Sequence, residues 1–209
     1  MNIKQALSLT LALLALGRVS ADEITPEAQH AAAQIAATTC STCHGTGGRN
    51  TSPIFPNLAA QTAPYIEAQL KAFRDQTRAD PDAQAYMWGM ASQLKDDAIS
   101  AIAAHYAAQA AAPGHAGDAK LIGRGKSIFE QGVPDKGIAA CATCHGAHAQ
   151  GNGPFPRLAG QHASYLIKQM LVIQSALRQA PVMHGVIKDL GREQMLDVAT
   201  YLESLGPSG

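Results

Sequence analysis

The sequence predicts an all-α protein built as two tandem copies of one unit. Three observations carry this. No segment alternates β-branched and polar residues as a half-buried strand does. Apolar residues recur instead three and four positions apart. The chain also repeats itself: Cys40-Ser41-Thr42-Cys43-His44 returns as Cys141-Ala142-Thr143-Cys144-His145, at an offset of 101. Phe55-Pro56-Asn57-Leu58-Ala59-Ala60-Gln61, with Tyr65 and Gln69, returns at an offset of 100 as Phe155-Pro156-Arg157-Leu158-Ala159-Gly160-Gln161, with Tyr165 and Gln169. Met87, Gly89 and Leu94 then match Met183, Gly185 and Leu190 at an offset of 96.

Each copy is expected to run helix, Cys-x-x-Cys-His, loop, helix, loop, helix. Proline suits a first helical turn, so Pro26 opens a helix through the alanine-rich stretch to about Thr39. Pro64 opens the next, with Tyr65, Ile66, Leu70 and Phe73 on one stripe. Residues 75–95 hold Pro81 and Gly89 without a clean period and read as a loop. A last helix starts at about Asp96, where two acids favour its positive end, with Ile99, Ile102, Ala103 and Tyr106 at helical spacing.

Ala110 to Gly117, with Pro113-Gly114 inside it, is the linker. In the second copy Leu121 to Gln131 is a short helix and Gly132 to Gly137 an inserted loop. His162 to about Arg178 forms the middle helix, with Tyr165, Leu166, Met170, Ile173 and Leu177 inward. Glu193 to Leu205 forms the last, with Met195, Val198, Leu202 and Leu205 inward. The domains are therefore expected at 22–112 and 113–209.

Residues 1–21 read as a cleaved secretory signal: Lys4 is the positive start, Ala6 to Gly17 the apolar run, and Val19-Ser20-Ala21 the small residues before Asp22. Leu7 to Leu16 is shorter than the ~20 apolar residues a membrane span needs. Residues 22–112 hold 5 Lys/Arg against 9 Asp/Glu, and residues 113–209 hold 9 against 7. The mature chain is thus dipolar, which is either ordinary surface charge or a means of orienting it toward partners.

Two cysteines two residues apart, followed at once by histidine, form the attachment pattern of c-type haem. Each sulfur can add to one haem vinyl, leaving the histidine under the ring to ligate iron. Cys40, Cys43, Cys141 and Cys144 are the chain's four cysteines, so none remains for a disulfide. A four-thiolate zinc site uses similar Cys-x-x-Cys steps, but these pairs lie about a hundred residues apart, each with its own histidine. A thioredoxin-like motif would need a strand–helix–strand unit, which is lacking. A copy of about 90 residues with few aromatics is small for a core of its own, so haem is expected to be structural as well as functional.

His44 and His145 are the candidate axial ligands on one face of each iron. On the other face a methionine thioether closes the iron for single-electron transfer, whereas an open position admits peroxide or gases. Met87 and Met183 correspond between copies, both in Met-x-Gly and both expected in the loop before the last helix. Met90 corresponds to Val186, Met170 to Leu70 and Met195 to Ile99, which marks the latter two as packing residues. None of the six other histidines recurs; His184, beside Met183, is the strongest rival, and its counterpart is Trp88. A backbone carbonyl near Pro56 or Pro156 is a candidate acceptor for the other imidazole N–H, although these prolines serve equally well as plain turn formers. Recurrence of Tyr65/Tyr165 and Gln61/Gln161 leaves open haem-edge hydrogen bonds or shared packing.

Taken together, the two Cys-x-x-Cys-His units, each followed by Phe-Pro-x-Leu-Ala-Gly/Ala-Gln-x-x-x-Tyr and then Met-x-Gly, resemble the dihaem cytochrome c4 family over essentially the whole mature chain. The resemblance implies two cytochrome c-like domains related by a pseudo-twofold axis, each wrapped around one covalently bound haem c, with the haems near the domain interface. It implies iron ligation by His44, Met87, His145 and Met183, with the Pro56 and Pro156 carbonyls as partners of the imidazoles. It also implies a periplasmic electron shuttle, often loosely attached to the inner membrane. Such a shuttle takes electrons from a quinol-oxidising complex or a dehydrogenase and passes them toward a terminal oxidase. No nucleic acid and no small-molecule substrate are expected. The competing functions are a dihaem peroxidase or sulfur-compound oxidoreductase, and an electron-accepting subunit of a dehydrogenase. Two features depart from the family pattern: Ala60 stands where the second copy has Gly160, and the loop before Met183 is short. A strained Fe–S bond at Met183 would lower that haem's potential.

Overall fold

A computed structural model describes residues 24–207, so the expected signal segment lies outside the described residues. The first domain begins with α1 (Pro26–Ile35), capped by the Thr25 side chain, which accepts from the Ala28 N–H at 3.2 Å. The helical path does not stop near Thr39. It widens into a π-type turn at Ala36–Cys40 and continues as α2 (Ser41–His44), so both cysteines and the histidine ride the end of one helical run. Then come α3 (Ala63–Arg74), a second π-type turn at Ala83–Met87 leading into α4 (Trp88–Ala91), and α5 (Asp96–Ala107).

The second domain repeats the plan with α6 (Ala119–Gln131), α7 (Ala142–His145), α8 (Ala163–Gln174), α9 (Pro181–Ile187) and α10 (Arg192–Ser204). The expected insert is present: Gly132 ends α6, and a short 3-10 turn at Pro134–Lys136 is closed by a Val133–Ile138 bridge. That bridge and one at Asn152–Phe155 are the only β pairings among the described residues. No described helix is long and apolar enough to cross a membrane.

Three expectations need correcting. Residues 75–95 are not a single loop: Pro81 opens the first turn of a helical segment, where its missing N–H costs nothing, and Gly89 lies in α4. Leu177 does not face inward. Ala176 takes a left-handed φ of 56° just after α8, which turns Leu177 out to 52% exposure. Met87 and Met183 are helical rather than in loops, as set out below.

The two cores differ in grain. In the second domain Phe129, Leu166, Met170, Ile173, Met195 and Leu202 belong to one continuous cluster. There α6 crosses α10 so closely that a Cβ on Gly125 would lie 2.0 Å from the Asp197 carbonyl oxygen. The first domain has two smaller clusters. One is largely alanine, with Ile66, Ile102 and Tyr106; the other, around Phe73, Ala83 and Ala91, has Met87 and Trp88 packed against it. Ala60 holds a left-handed φ of 55°, and Gly160 matches it at 72°. The backbone geometry of the repeat is kept there although the residue that suits it is not.

Candidate haem sites

Each site is built on the short helix that ends in histidine. His44 and His145 are both buried. Their Nδ1 atoms lie 2.9 Å from the Pro56 and Pro156 carbonyl oxygens respectively. A carbonyl only accepts, so Nδ1 carries the proton and Nε2 presents its lone pair. Burial lowers both imidazole pKa values, partly opposed by the carbonyl bonds, which favours the neutral, ligating form. The two prolines are therefore not merely turn formers; their carbonyls fix the tautomer and orientation of each ring.

The four cysteines are half-buried and none is in a disulfide. Burial raises the pKa of the Cys40 thiol and pushes that of Cys141 up to about 11 before haem is attached. Among the described residues no group of three or more His, Cys, Asp or Glu side chains is arranged to hold a metal ion.

Met87 closes the π-type turn and Met183 lies in α9; both are half-buried and pack against the core of their own domain. A short helix between loops serves here in place of a loop. The residue after each methionine anchors it. Trp88 donates Nε1–H to the Arg78 carbonyl at 2.8 Å, and His184 donates Nδ1–H to the Ile173 carbonyl at 2.8 Å. Through Nδ1–H, His184, the rival ligand, makes the same kind of anchoring bond as its tryptophan counterpart, while its Nε2 stays uncommitted. Aromatic contacts connect the two sides of the first site: His44 to Phe55 at 6.2 Å, and Phe55 to Tyr86 at 5.4 Å. His145 meets Phe155 in the same way at 6.3 Å. A buried, Nε2-presenting imidazole, a paired set of thiols one helical turn away and a clamped thioether in each domain fit one haem c apiece.

Between the sites runs a seam that motif reading did not identify. Gln61 Nε2 donates to the Arg157 carbonyl at 3.0 Å, and Arg157 N–H donates back to Gln61 Oε1 at 2.7 Å. The mirror pair is Gln161 Nε2 to the Asn57 carbonyl at 3.0 Å, and Asn57 N–H to Gln161 Oε1 at 2.9 Å. All four residues are buried. Beside them lies a charged cluster. Gln69 Oε1 accepts from Arg78 at 2.8 Å and Arg178 at 3.0 Å, while Gln169 Oε1 accepts from Arg78 at 2.9 Å and Arg178 at 2.6 Å. Arg78 also pairs with the buried Asp80 at 2.8 Å, and Arg178 bonds the Tyr65 hydroxyl at 2.8 Å. Burial opposes ionisation of Tyr65, but the Arg178 and Arg78 charges hold its pKa below the usual tyrosine value. The available signal was the recurrence of Gln61, Tyr65 and Gln69 one repeat on, together with Arg78 and Arg178 at the same offset of 100. Each recurring glutamine makes at least one hydrogen bond to the other domain.

Two thiol pairs followed by fixed, neutral imidazoles on a duplicated helical frame define a dihaem electron carrier of the c type. A model of the family "Cytochrome c" matches residues 29–107 and again 122–206. Cytochrome c-552 of Acidithiobacillus ferridurans is 45% identical over 169 residues, covering 79% of this chain and 73% of that protein. Cytochrome c4 of Thiocapsa roseopersicina is 37% identical, covering 79% and 86%. The solved cytochrome c4 of Acidithiobacillus ferrooxidans superposes with a TM-score of 0.75 at 43% identity, covering 79% of this chain and 98% of that one. A protein described as a thiosulfate dehydrogenase electron acceptor, from Thiomonas intermedia, is 33% identical, covering 84% and 82%. The chain belongs to the cytochrome c family, as a tandem member of the cytochrome c4 kind with two covalently bound haems c. It is an electron-transfer protein rather than an enzyme.

Proposed function

We propose that the mature chain is a periplasmic shuttle for single electrons, with His44 and Met87 ligating one iron and His145 and Met183 the other, and with Cys40, Cys43, Cys141 and Cys144 holding the haems. The observation that carries this is the paired clamp: in each domain one ring N–H fixes the histidine side and another the methionine side. Each haem c, when bound, supplies a one-electron iron couple. The chain's residues bury that couple, keep the imidazole neutral and close the remaining face with a thioether, which excludes substrate from the metal. In this reading residues 1–21 direct export, and the domains meet at 112/113.

The donor is a quinol-oxidising complex or a dehydrogenase and the acceptor a terminal oxidase, with loose association at the inner membrane. A second reading, the electron-accepting partner of a dehydrogenase for a sulfur compound, is favoured by the relative described as a thiosulfate dehydrogenase electron acceptor. Carbon monoxide separates the carrier from a dihaem enzyme. The reduced holoprotein should bind it slowly or not at all, and Met87→Ala and Met183→Ala should each open one haem. Rapid binding by the unaltered protein, or peroxide turnover, would overturn the closed-site assignment. Purified dehydrogenase and oxidase, offered separately as redox partners, distinguish the two electron-transfer readings.

A further inference from the structure

The geometry points to Gln161 and Gln61 as positioning residues that set the reduction potential of the haem in the opposite domain. They act through the peptide groups that hold the axial histidines. The inference rests on His44 and His145 being iron ligands. Pro56 C=O, which accepts from His44 at 2.9 Å, belongs to the same peptide unit as Asn57 N–H, which donates to Gln161 Oε1 at 2.9 Å. In mirror fashion, Pro156 C=O accepts from His145 at 2.9 Å, and the Arg157 N–H of that peptide donates to Gln61 Oε1 at 2.7 Å. Each axial imidazole is thus two hydrogen bonds and one peptide from a glutamine of the other domain.

Hydrogen bonds in series polarise one another, most strongly where water is excluded. A peptide whose N–H is engaged by a carbonyl carries more negative charge on its own oxygen. That oxygen draws harder on the imidazole N–H and makes the ring a stronger donor to iron, as partners behind metal-bound histidines do. Stronger donation favours Fe(III) and lowers the potential. Gln61 and Gln161 are each only 6% exposed, so water has little access to replace either amide. Both amides are also held in place. The oxygens accept a second N–H, from Thr62 at 2.9 Å and His162 at 3.1 Å, and the Nε2 groups return to the Arg157 and Asn57 carbonyls.

The influence is crossed, and a merely structural seam would not produce that pattern. In the holoprotein, Gln161→Met removes the acceptor at similar volume. It should raise the potential of the first-domain haem with a clearly smaller shift at the second; Gln61→Met should do the reverse. Spectroelectrochemical titration with haem-resolved proton NMR reads both. In the reduced protein the Nδ1–H resonance of His44 should move upfield in Gln161→Met, and that of His145 in Gln61→Met. If a methionine variant does not fold, Gln161→Glu and Gln61→Glu keep the acceptor oxygen and should lower the potential of the opposite haem more than that of their own. Equal shifts at both haems, larger shifts within the altered domain, or unmoved potentials and Nδ1–H resonances would overturn the inference. Ring-current-shifted imidazole protons of His44 and His145 in the unaltered reduced protein report ligation separately. Their absence defeats the ligand assignment, whereas their presence beside uncrossed shifts defeats the relay alone.

Discussion

Replacing Asp80 by alanine tests the electrostatics of the seam. Two guanidiniums, Arg78 and Arg178, share the side-chain oxygens of Gln69 and Gln169, and among the described residues Asp80 is the carboxylate paired with Arg78. The Arg78 and Asp80 side chains are 9% and 2% exposed. Removing one member of such a buried pair costs about 3–5 kcal/mol, because the remaining charge stays desolvated and unpaired. Two charges roughly 6 Å apart at an effective dielectric of about 20 repel by roughly 2–3 kcal/mol, a repulsion the carboxylate now offsets. A loss of about 4 kcal/mol corresponds to a fall in Tm on the order of 10 °C for a chain of this size. Urea and thermal unfolding of the holoprotein measure it. Position 180, one repeat on, is alanine and lies two residues after Arg178 as Asp80 lies two after Arg78. The exchange Asp80→Ala/Ala180→Asp should therefore recover at least half of the loss. A single variant that loses under about 1 kcal/mol, or an exchange variant no more stable than the single one, would refute the reasoning.

Three further outcomes follow from the packing. Gly125→Ala drives a methyl into the Asp197 carbonyl and should cost upwards of about 2 kcal/mol in chemical unfolding, since backbone cannot yield as a side chain does. Without haem, as in a variant with all four attachment cysteines changed to alanine, the second domain should keep more protection than the first. Its core is one cluster, whereas the first domain's is two small ones, and hydrogen exchange mapped by domain reads the difference. Acid should loosen the seam through His162. Burial lowers its pKa from 6.5, against the opposing pull of Glu203, with His115 also facing it. The fold therefore binds fewer protons there than the unfolded chain, and stability falls as pH drops from about 6.5 through the lowered value. His162→Gln should flatten that part of the stability–pH curve.

The helical frame was legible because each helix carries its own period and punctuation: Pro26 and Pro64 open helices, and the acids of Asp96-Asp97 begin α5. The candidate ligands were legible because duplication filters coincidence, leaving Met87 and Met183 where Met90, Met170 and Met195 drop out. The misread elements depended on terms that periodicity does not contain. The helical turn at Met87 is too short and too irregular to show a 3.6-residue period. Leu177 fits the apolar stripe of α8, but the left-handed Ala176 ends the helix before it. The seam was hidden for another reason. A glutamine that bonds to distant main chain leaves only its own recurrence in the sequence, because backbone N–H and C=O groups are the same at every residue.

That same anonymity of the backbone bears on how a doubled chain acquires two unlike halves. Gln61 and Gln161 engage the main chain at Arg157 and Asn57, so the side chains there are free to differ. Asn57 turns inward to the Gly160 carbonyl, while Arg157 reaches the carbonyls of Gly206 and Pro207 near the end of the chain. In a dimer of identical subunits any change at this position appears on both sides of the axis at once. In a tandem chain each half mutates alone, and a contact indifferent to side-chain identity lets the halves drift apart while they stay joined. One half could turn acidic and the other basic without renegotiating the joint between them.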